Sequence, residues 1–410
     1  MVRCSGRYGI ALSFVEIRDL TTDDLDAVLD NRKRAFGPIS GADAEIWRKM
    51  ILPVLSEGRY LGVFDGTRLI ATARINQYTQ WWHGRPMSMG GVASVTVAPE
   101  ERGRGVGRAL IAGVIDRSAE LGHVASALYP ATTPLYRSMG WEHGGAQFKA
   151  VLPTEALRTL GARDSAAAAV KLRRMGPDDA PELMALLDRV YASTRASGPL
   201  CWDERTWRLW LEDEDDFCYL ADDGYVIYRW SGGDIEVDNL VAGSEATARA
   251  LWSLVGTASS IAKSVKACVE PHDPVLWLLR ERSYDDIKQT RWMFRLIDFP
   301  SAIQQRGFPA GVSLDTVIEV DDPQRPANSG TWRLQVASGS CTASAAGSGT
   351  ELALGQGTAS RFTIGALSAL FAGVPAATLR RSGRLAGGSP ETDDALDAAF
   401  NCAAYMIDHF

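Results

Sequence analysis

The chain repeats its own opening. "FVEIRDLTTDDLDAVLDNRKRAFG" and, from Val170 to Ser193, "VKLRRMGPDDAPELMALLDRVYAS" both read as a short strand, an acidic cap and an amphipathic helix. The caps, Thr21-Thr22-Asp23-Asp24 and Pro177-Asp178-Asp179, offer oxygens to backbone N–H groups that a first helical turn leaves unpaired. The opening strand is expected over Phe14–Ile17. Each copy continues into two strands joined by an Asp-Gly dipeptide, Asp65-Gly66 in "RYLGVFDGTRLIATARINQY" and Asp223-Gly224 in "FCYLADDGYVIYRW". With "HVASALYP" as a later strand, the unit is β-helix-β-β-β-helix-β. It occurs twice, joined through the Ala-rich stretch Ser165–Val170.

The copies part at one junction. In the first, "VTVAPEERGRGVGRAL" (Val95 to Leu110) runs from a β-branched strand through Pro99 into Arg102-Gly103-Arg104-Gly105-Val106-Gly107 and an apolar helix. Glycines let successive backbone N–H groups converge on an anion, and the helix N-terminus adds partial positive charge. Arg102 and Arg104 are placed to add charge-assisted bonds to phosphate. A tight turn with solvated arginines is the alternative reading. The second copy has "VDNLVAGSEATARALWSLV" there, without the glycines or the arginine pair. A dinucleotide site is disfavoured, because it would place its glycines after the first strand of a unit rather than after three or four.

Length and charge bound the rest. At 410 residues the chain is too long for one ordinary core, and a net charge of −7 argues against a nucleic-acid backbone as partner. The six cysteines (Cys4, Cys201, Cys218, Cys268, Cys341, Cys402) show no metal or disulfide spacing, so no metal is expected. No apolar run approaches a membrane span, the opening "MVRCSGRYGIALSF" lacks a signal-peptide layout, and a cytoplasmic protein is expected. From Gly311 onward the chain becomes rich in small residues. The Ser/Gly/Ala run near 338–349 is read as strands and a hairpin rather than a linker, in a third unit.

The glycine turn, the Gly90-Gly91 pair before it and the strand order resemble the GCN5-related N-acetyltransferase (GNAT) superfamily. With "LYPATTPLYRSMGWE", "GYVIYRW", "PHDPVLWLL" and "LDAAFNCAAYMIDHF", the chain resembles the Eis (enhanced intracellular survival) family over essentially its whole length. The resemblance implies an α+β fold: tandem GNAT domains over 1–160 and 161–300, the second degenerate, then a sterol-carrier-protein-like α/β domain over 301–410. It implies acetyl-CoA as co-substrate, a small polycationic amine as acceptor (aminoglycoside, polyamine or lysine-type) and a homohexamer. Phosphate would be held by Arg102, Gly103, Arg104, Gly105, Val106 and Gly107. Main-chain groups of Val95 and Val97 would pair with the pantetheine arm, the Val97 N–H polarising the thioester.

The same resemblance places the proton donor on Tyr136, with Tyr129 competing, and the base on the terminal carboxylate of Phe410. A phenol near 10 lies about 2 kcal/mol above a thiol near 8.5, and a carboxylate near 3.5 needs burial to act as a base at neutral pH. His409, preceded by Asp408, stands where the family is often acidic and is read as surface or substrate contact. The family's acid after the first helix has no equivalent in "RKRAFGP". Phe36, Trp47, Trp81 and Trp82 lie where an acceptor pocket would be walled. Trp47 is read as core, and Trp81-Trp82, before His83-Gly84, as a loop pair facing ligand. No Cys-His pair suggests a covalent intermediate, so attack is expected to be direct. Two other readings remain: an acyl or aminoacyl transferase with another donor or acceptor, and a hydrophobic-ligand carrier built on "FTIGALSALFAGVPAATLRR", which is more simply packed helix.

Overall fold

A computed structural model describes residues 15–161, 169–281, 286–346 and 359–410. Cys4, Phe14, positions 165–168 of the expected connection and positions 347–349 of the small-residue run lie outside the described residues. The first copy contributes strands β1 (Val15–Asp19), β2 (Tyr60–Asp65), β3 (Arg68–Trp82), β4 (Arg85–Val97), β5 (Ala125–Leu128) and β6 (Glu142–Pro153). Its helices are α1 (Leu25–Phe36), α2 (Gly41–Ser56), α3 (Val106–Glu120), α4 (Thr133–Ser138) and α5 (Thr154–Arg158). The second contributes β7 (Arg173–Arg174), β8 (Leu200–Cys201), β9 (Phe217–Ala221), β10 (Gly224–Ser231), β11 (Asp234–Ala242), β12 (Ser264–Val269) and β13 (Ile287–Leu296). Its helices are α6 (Ala180–Thr194), α7 (Glu204–Trp210), α8 (Glu245–Gly256) and α9 (Pro274–Leu278).

Both copies share one sheet, of 13 strands among the described residues, in the order β1-β2-β3-β4-β5-β13-β6-β12-β11-β10-β9-β7, with β8 on β3. The centre of this order is an exchange. β13, from the second copy, pairs antiparallel with β5 of the first, while β6 of the first pairs antiparallel with β12 of the second. Neither copy completes its sheet alone.

Local sequence explains the recurring parts. Thr21 and Asp24 form a capping box ahead of α1, and Gly176 with Asp179 closes the equivalent turn ahead of α6. In α3, Val106, Leu110, Ile111, Val114 and Ile115 fall on one stripe and are fully buried. Each such aliphatic contributes roughly 1.5–3 kcal/mol. His83 and Gly84 both take positive φ (47° and 75°), so β3 and β4 turn in two residues.

The third unit carries α10 (Phe299–Gln305), β14 (Leu314–Asp321), β15 (Gly330–Ala337), β16 (Ser340–Ala345), β17 (Ser360–Thr363), α11 (Ile364–Phe371), α12 (Ala376–Arg381), β18 (Leu385–Ala386) and α13 (Pro390–Phe400). Its strands form a separate sheet in the order β16-β15-β14-β17-β18. Every residue of α11 is buried, so "IGALSALF" is packed helix. A buried ion pair, Arg295 to Asp322 at 2.9 Å, joins the large sheet to this unit. The described cysteines are free thiols.

Candidate active site

The site begins where two strands part. β4 and β5 run parallel through Met89–Ala125, Gly90–Ser126 and Gly91–Ala127, where their pairing stops, while β4 continues to Val97. Against β3 the register slips between Thr72–Thr96 and Arg74–Ala93, which makes a bulge at Ser94 and Val95, with Ser94 at φ 52°. The Ala98 N–H donates to the Ile70 oxygen at 2.8 Å. Alternation along the strand therefore turns the Val97 N–H away from β3, toward the opening.

The first turn of α3 faces the same region. Gly105, its N-cap, sits at φ 84° and Gly103 at φ 78°, conformations that side chains disfavour. No side chain caps this helix, and the Ala109 N–H to Gly105 oxygen bond (3.1 Å) is its first. The N–H groups of Val106 and Gly107 are thus left for an anion. At Gly107 a β-carbon would lie 3.5 Å from Val97 and 3.6 Å from Leu135, so β4, α3 and α4 converge beside Tyr136. Of the two arginines expected on phosphate, Arg102 is exposed and makes no ion pair among the described residues. Arg104 instead pairs with Glu101, which also holds Arg68. Glu101 is 3% exposed, and a buried carboxylate needs such partners, so the phosphate role expected of Arg104 competes with this pair. Arg108, which the sequence reading missed, reaches Ser138 of α4 at 3.0 Å.

The last residues run into the opening. Ala146 and Tyr405 form a parallel bridge, Gln147 Nε2 donates to the Ile407 oxygen at 2.8 Å, and Tyr129 Oη donates to the Asp408 oxygen at 2.8 Å. The Phe410 ring packs on Tyr78 (4.9 Å between centroids) and Tyr129 (5.7 Å). A β-carbon on Gly91 would come within 2.8 Å of Phe410 and 2.4 Å of Tyr78, so this close approach depends on glycine. His409 is exposed and stacks on Tyr129 at 4.2 Å. Asp408 Oδ1 accepts from Trp202 Nε1 (2.9 Å) and Asn239 Nδ2 (3.3 Å), and burial pushes its carboxyl up to about 6.

The two tyrosines occupy different places. Tyr129 holds the terminal segment. Tyr136, 6% exposed, packs edge-on to Trp141 in the α3 core, and burial alone pushes its phenol up to about 12. Phe36 ends α1 and is 58% exposed, and Trp47 is half-buried against the α1–α2 core. Trp81 and Trp82 are not a loop pair. They end β3 and are 4% and 0% exposed, Trp81 against Tyr191 and Trp82 among Trp292, Phe294 and Phe371. The tight His83-Gly84 turn extends the strand past both tryptophans, so their ligand role is withdrawn.

The second copy keeps the outline and loses the equipment. β11 and β12 pair in parallel only through Ile235–Val265 to Val237–Ala267. The N-terminus of α8, however, is capped by Ser244, whose hydroxyl accepts from the Thr247 N–H at 3.3 Å. Where α4 has Pro134-Leu135-Tyr136, α9 has Pro274-Val275-Leu276.

The same parts of the chain are similar to known proteins. Residues 16–144 and 198–296 match acetyltransferase (GNAT) domain families, and residues 299–407 match a sterol carrier protein domain. A GCN5-related N-acetyltransferase structure from Kribbella flavida is 43% identical with a TM-score of 0.92, across 97% of this chain and 98% of that one. An uncharacterized N-acetyltransferase of Streptomyces avermitilis is 27% identical over 78% of this chain and 82% of that protein. The N-acetyltransferase Eis of Mycobacterium tuberculosis is 26% identical over 57% of this chain, a match spanning 62% of its own length. Tandem GNAT domains, the second without its anion turn, ahead of a sterol-carrier-like domain make this chain a member of the Eis-like family of GCN5-related N-acetyltransferases, and an N-acetyltransferase.

Proposed function

We propose that the chain transfers the acetyl group of acetyl-CoA to an amino group of a polycationic small molecule, aminoglycoside-like, polyamine or lysine-type. The observation that carries this is the terminal segment in the β4/β5 opening, with carboxylates beside it. Asp408 and Asp203 act on the Tyr78 phenol that touches Phe410, with Arg74 opposing them. The carboxylate of Phe410 itself is the group that favours a cationic acceptor.

Acetyl-CoA supplies the activated thioester. The free N–H groups of Val106 and Gly107, with Arg102, hold its pyrophosphate, and Val95 and Val97 hold its arm, the Val97 N–H stabilising charge on the carbonyl oxygen. The Phe410 carboxylate takes the amine's proton as nitrogen bonds to the carbonyl carbon and the carbon–sulfur bond breaks. Tyr136 stays protonated at neutral pH and donates to the departing sulfur. With its phenol near 12, donation to a thiolate near 8.5 lies about 5 kcal/mol uphill, so the proton moves only as charge builds on sulfur. Both groups then exchange protons with water. The proposal uses no metal; it includes hexameric assembly, through the family resemblance, and a cytoplasmic location.

Thiol release from acetyl-CoA, measured with an aminoglycoside, spermidine and a lysine peptide, tests this. Wild type is expected to release thiol with at least one amine. Tyr136→Phe and a form extended by two residues beyond Phe410 are expected to lose it. Release that survives the extension would remove Phe410 from the mechanism, and silence with every amine would overturn the acceptor class.

A further inference from the structure

Away from the β4/β5 opening, β6 and β13 of the large sheet and helices α11 and α12 of the third unit line an open cavity of about 390 Å³. Its charge is uneven. Glu142, 5% exposed, already holds two guanidinium groups, Arg137 at 2.7 Å and Arg384 at 2.7 Å. Arg291 also lines the cavity, is exposed, and has no ion pair among the described residues. His143 lines it too, with a buried Nδ1 that has no hydrogen-bond partner. Three arginines thus surround one carboxylate and an unsatisfied imidazole, in a chain whose net charge is −7. Burial and these arginines hold the imidazole below its usual pKa, so at neutral pH it offers a hydrogen bond rather than charge. Phe148, Val374 and Leu379 form an apolar wall on the same cavity.

We propose that this cavity binds a small organic anion, a carboxylate or phosphate ester on a short apolar body, with Arg291 and Arg384 on the anionic head and His143 completing its hydrogen bonds. A bare inorganic anion would leave the apolar wall unused, and a cation would face the arginine excess. The site also adjoins the terminal segment. Ala404 lines the cavity, the Ala146 N–H bonds its oxygen at 3.4 Å, and the Met406 N–H returns to the Ala146 oxygen at 3.3 Å. A bound ligand therefore rests against the stretch that ends in Phe410, and Arg137, the residue after Tyr136, pairs with Glu142.

The test is calorimetric titration of the full chain with hexanoate, hexyl phosphate, inorganic phosphate and hexylamine. Hexanoate or hexyl phosphate is expected to bind, whichever is tighter naming the head group, and hexylamine is expected not to. Arg291→Glu, at an exposed position, should weaken binding by about tenfold or more, a loss of roughly 1.4 kcal/mol or above. Thr378→Trp, which puts bulk at the cavity wall, should weaken it independently of charge. Retained thiol release would show that both variants are folded. No binding of either hexyl anion, equal binding of hexylamine, inorganic phosphate as tight as the hexyl anions, or affinity unchanged in both variants would each overturn the proposal.

Discussion

The Tyr129 hydroxyl donates a 2.8 Å hydrogen bond to the main-chain oxygen of Asp408, two residues before the Phe410 ring that Tyr129 also contacts. A side chain of the first copy thus holds the terminal segment, while Tyr136, seven positions on, lies in another cluster. The two tyrosines should fail differently. Tyr129→Phe leaves a carbonyl without its partner, a loss of about 1–3 kcal/mol. It is expected to speed hydrogen exchange over residues 404–410 and to lower turnover modestly. Tyr136→Phe should leave exchange unchanged and lower kcat by about 100-fold or more. The reverse pattern would move the proton donor to Tyr129.

The α3 turn predicts an asymmetry between neighbouring arginines. Arg102→Ala should weaken coenzyme A binding about fivefold to tenfold, measured by titration, because its guanidinium has no other partner among the described residues. Arg104→Ala should change affinity less and stability more, because it strips a partner from buried Glu101. Gly105→Ala should weaken coenzyme A and lose about 1–2 kcal/mol of stability, since φ 84° is costly for any residue with a β-carbon. Equal affinity losses at both arginines would refute this assignment.

Local signals were readable in the chain and non-local ones were not. The duplicated strand–cap–helix openings and the glycine turn depend on neighbours a few residues apart, and each appears where the sequence puts it. The exchange of β6 and β13 joins strands more than 130 residues apart, as in Phe148–Gln289, and nothing in either strand names its partner. Trp81 and Trp82 misled because His83-Gly84 looks like the start of a loop, whereas both residues take positive φ and close the turn at once. The Glu101–Arg104 pair had a signal, an acid three residues before a base, which the phosphate reading overrode. Asp408 had none: next to His409 it looks like surface, and only the fold brings Trp202 and Asn239 to it.

Asp408 sets a pH dependence whose sign is unusual for a carboxylate. Its pKa is raised from 3.8 to about 6, so between those values the folded chain holds a proton that the unfolded chain has released. Stability from this group is therefore present below about pH 4 and is lost as pH rises through about 6, a loss of about 3 kcal/mol. Asp408→Asn keeps an acceptor for Trp202 and cannot ionise. Urea denaturation at pH 5 and pH 8 is expected to show the variant gaining on wild type as pH rises. A gap between them that is constant with pH would place the titration elsewhere.

Trp82 and Phe36 separate core from pocket. Trp82 is fully buried among Trp292, Phe294 and Phe371, with its indole N–H on Gln80 at 3.0 Å. Trp82→Ala should lower stability by about 3–5 kcal/mol through lost contacts and a residual cavity. The KM for the amine should not change at temperatures where the variant stays folded. Phe36, 58% exposed at the end of α1, should behave in the opposite way. Phe36→Ala is expected to leave the urea midpoint within experimental error and to raise the amine KM, because an exposed ring contributes little to folding and is free to cover an apolar part of the acceptor. If Phe36→Ala changed neither quantity, Phe36 would have no part in acceptor binding; if Trp82→Ala raised KM without loss of stability, the tryptophan would return to the pocket.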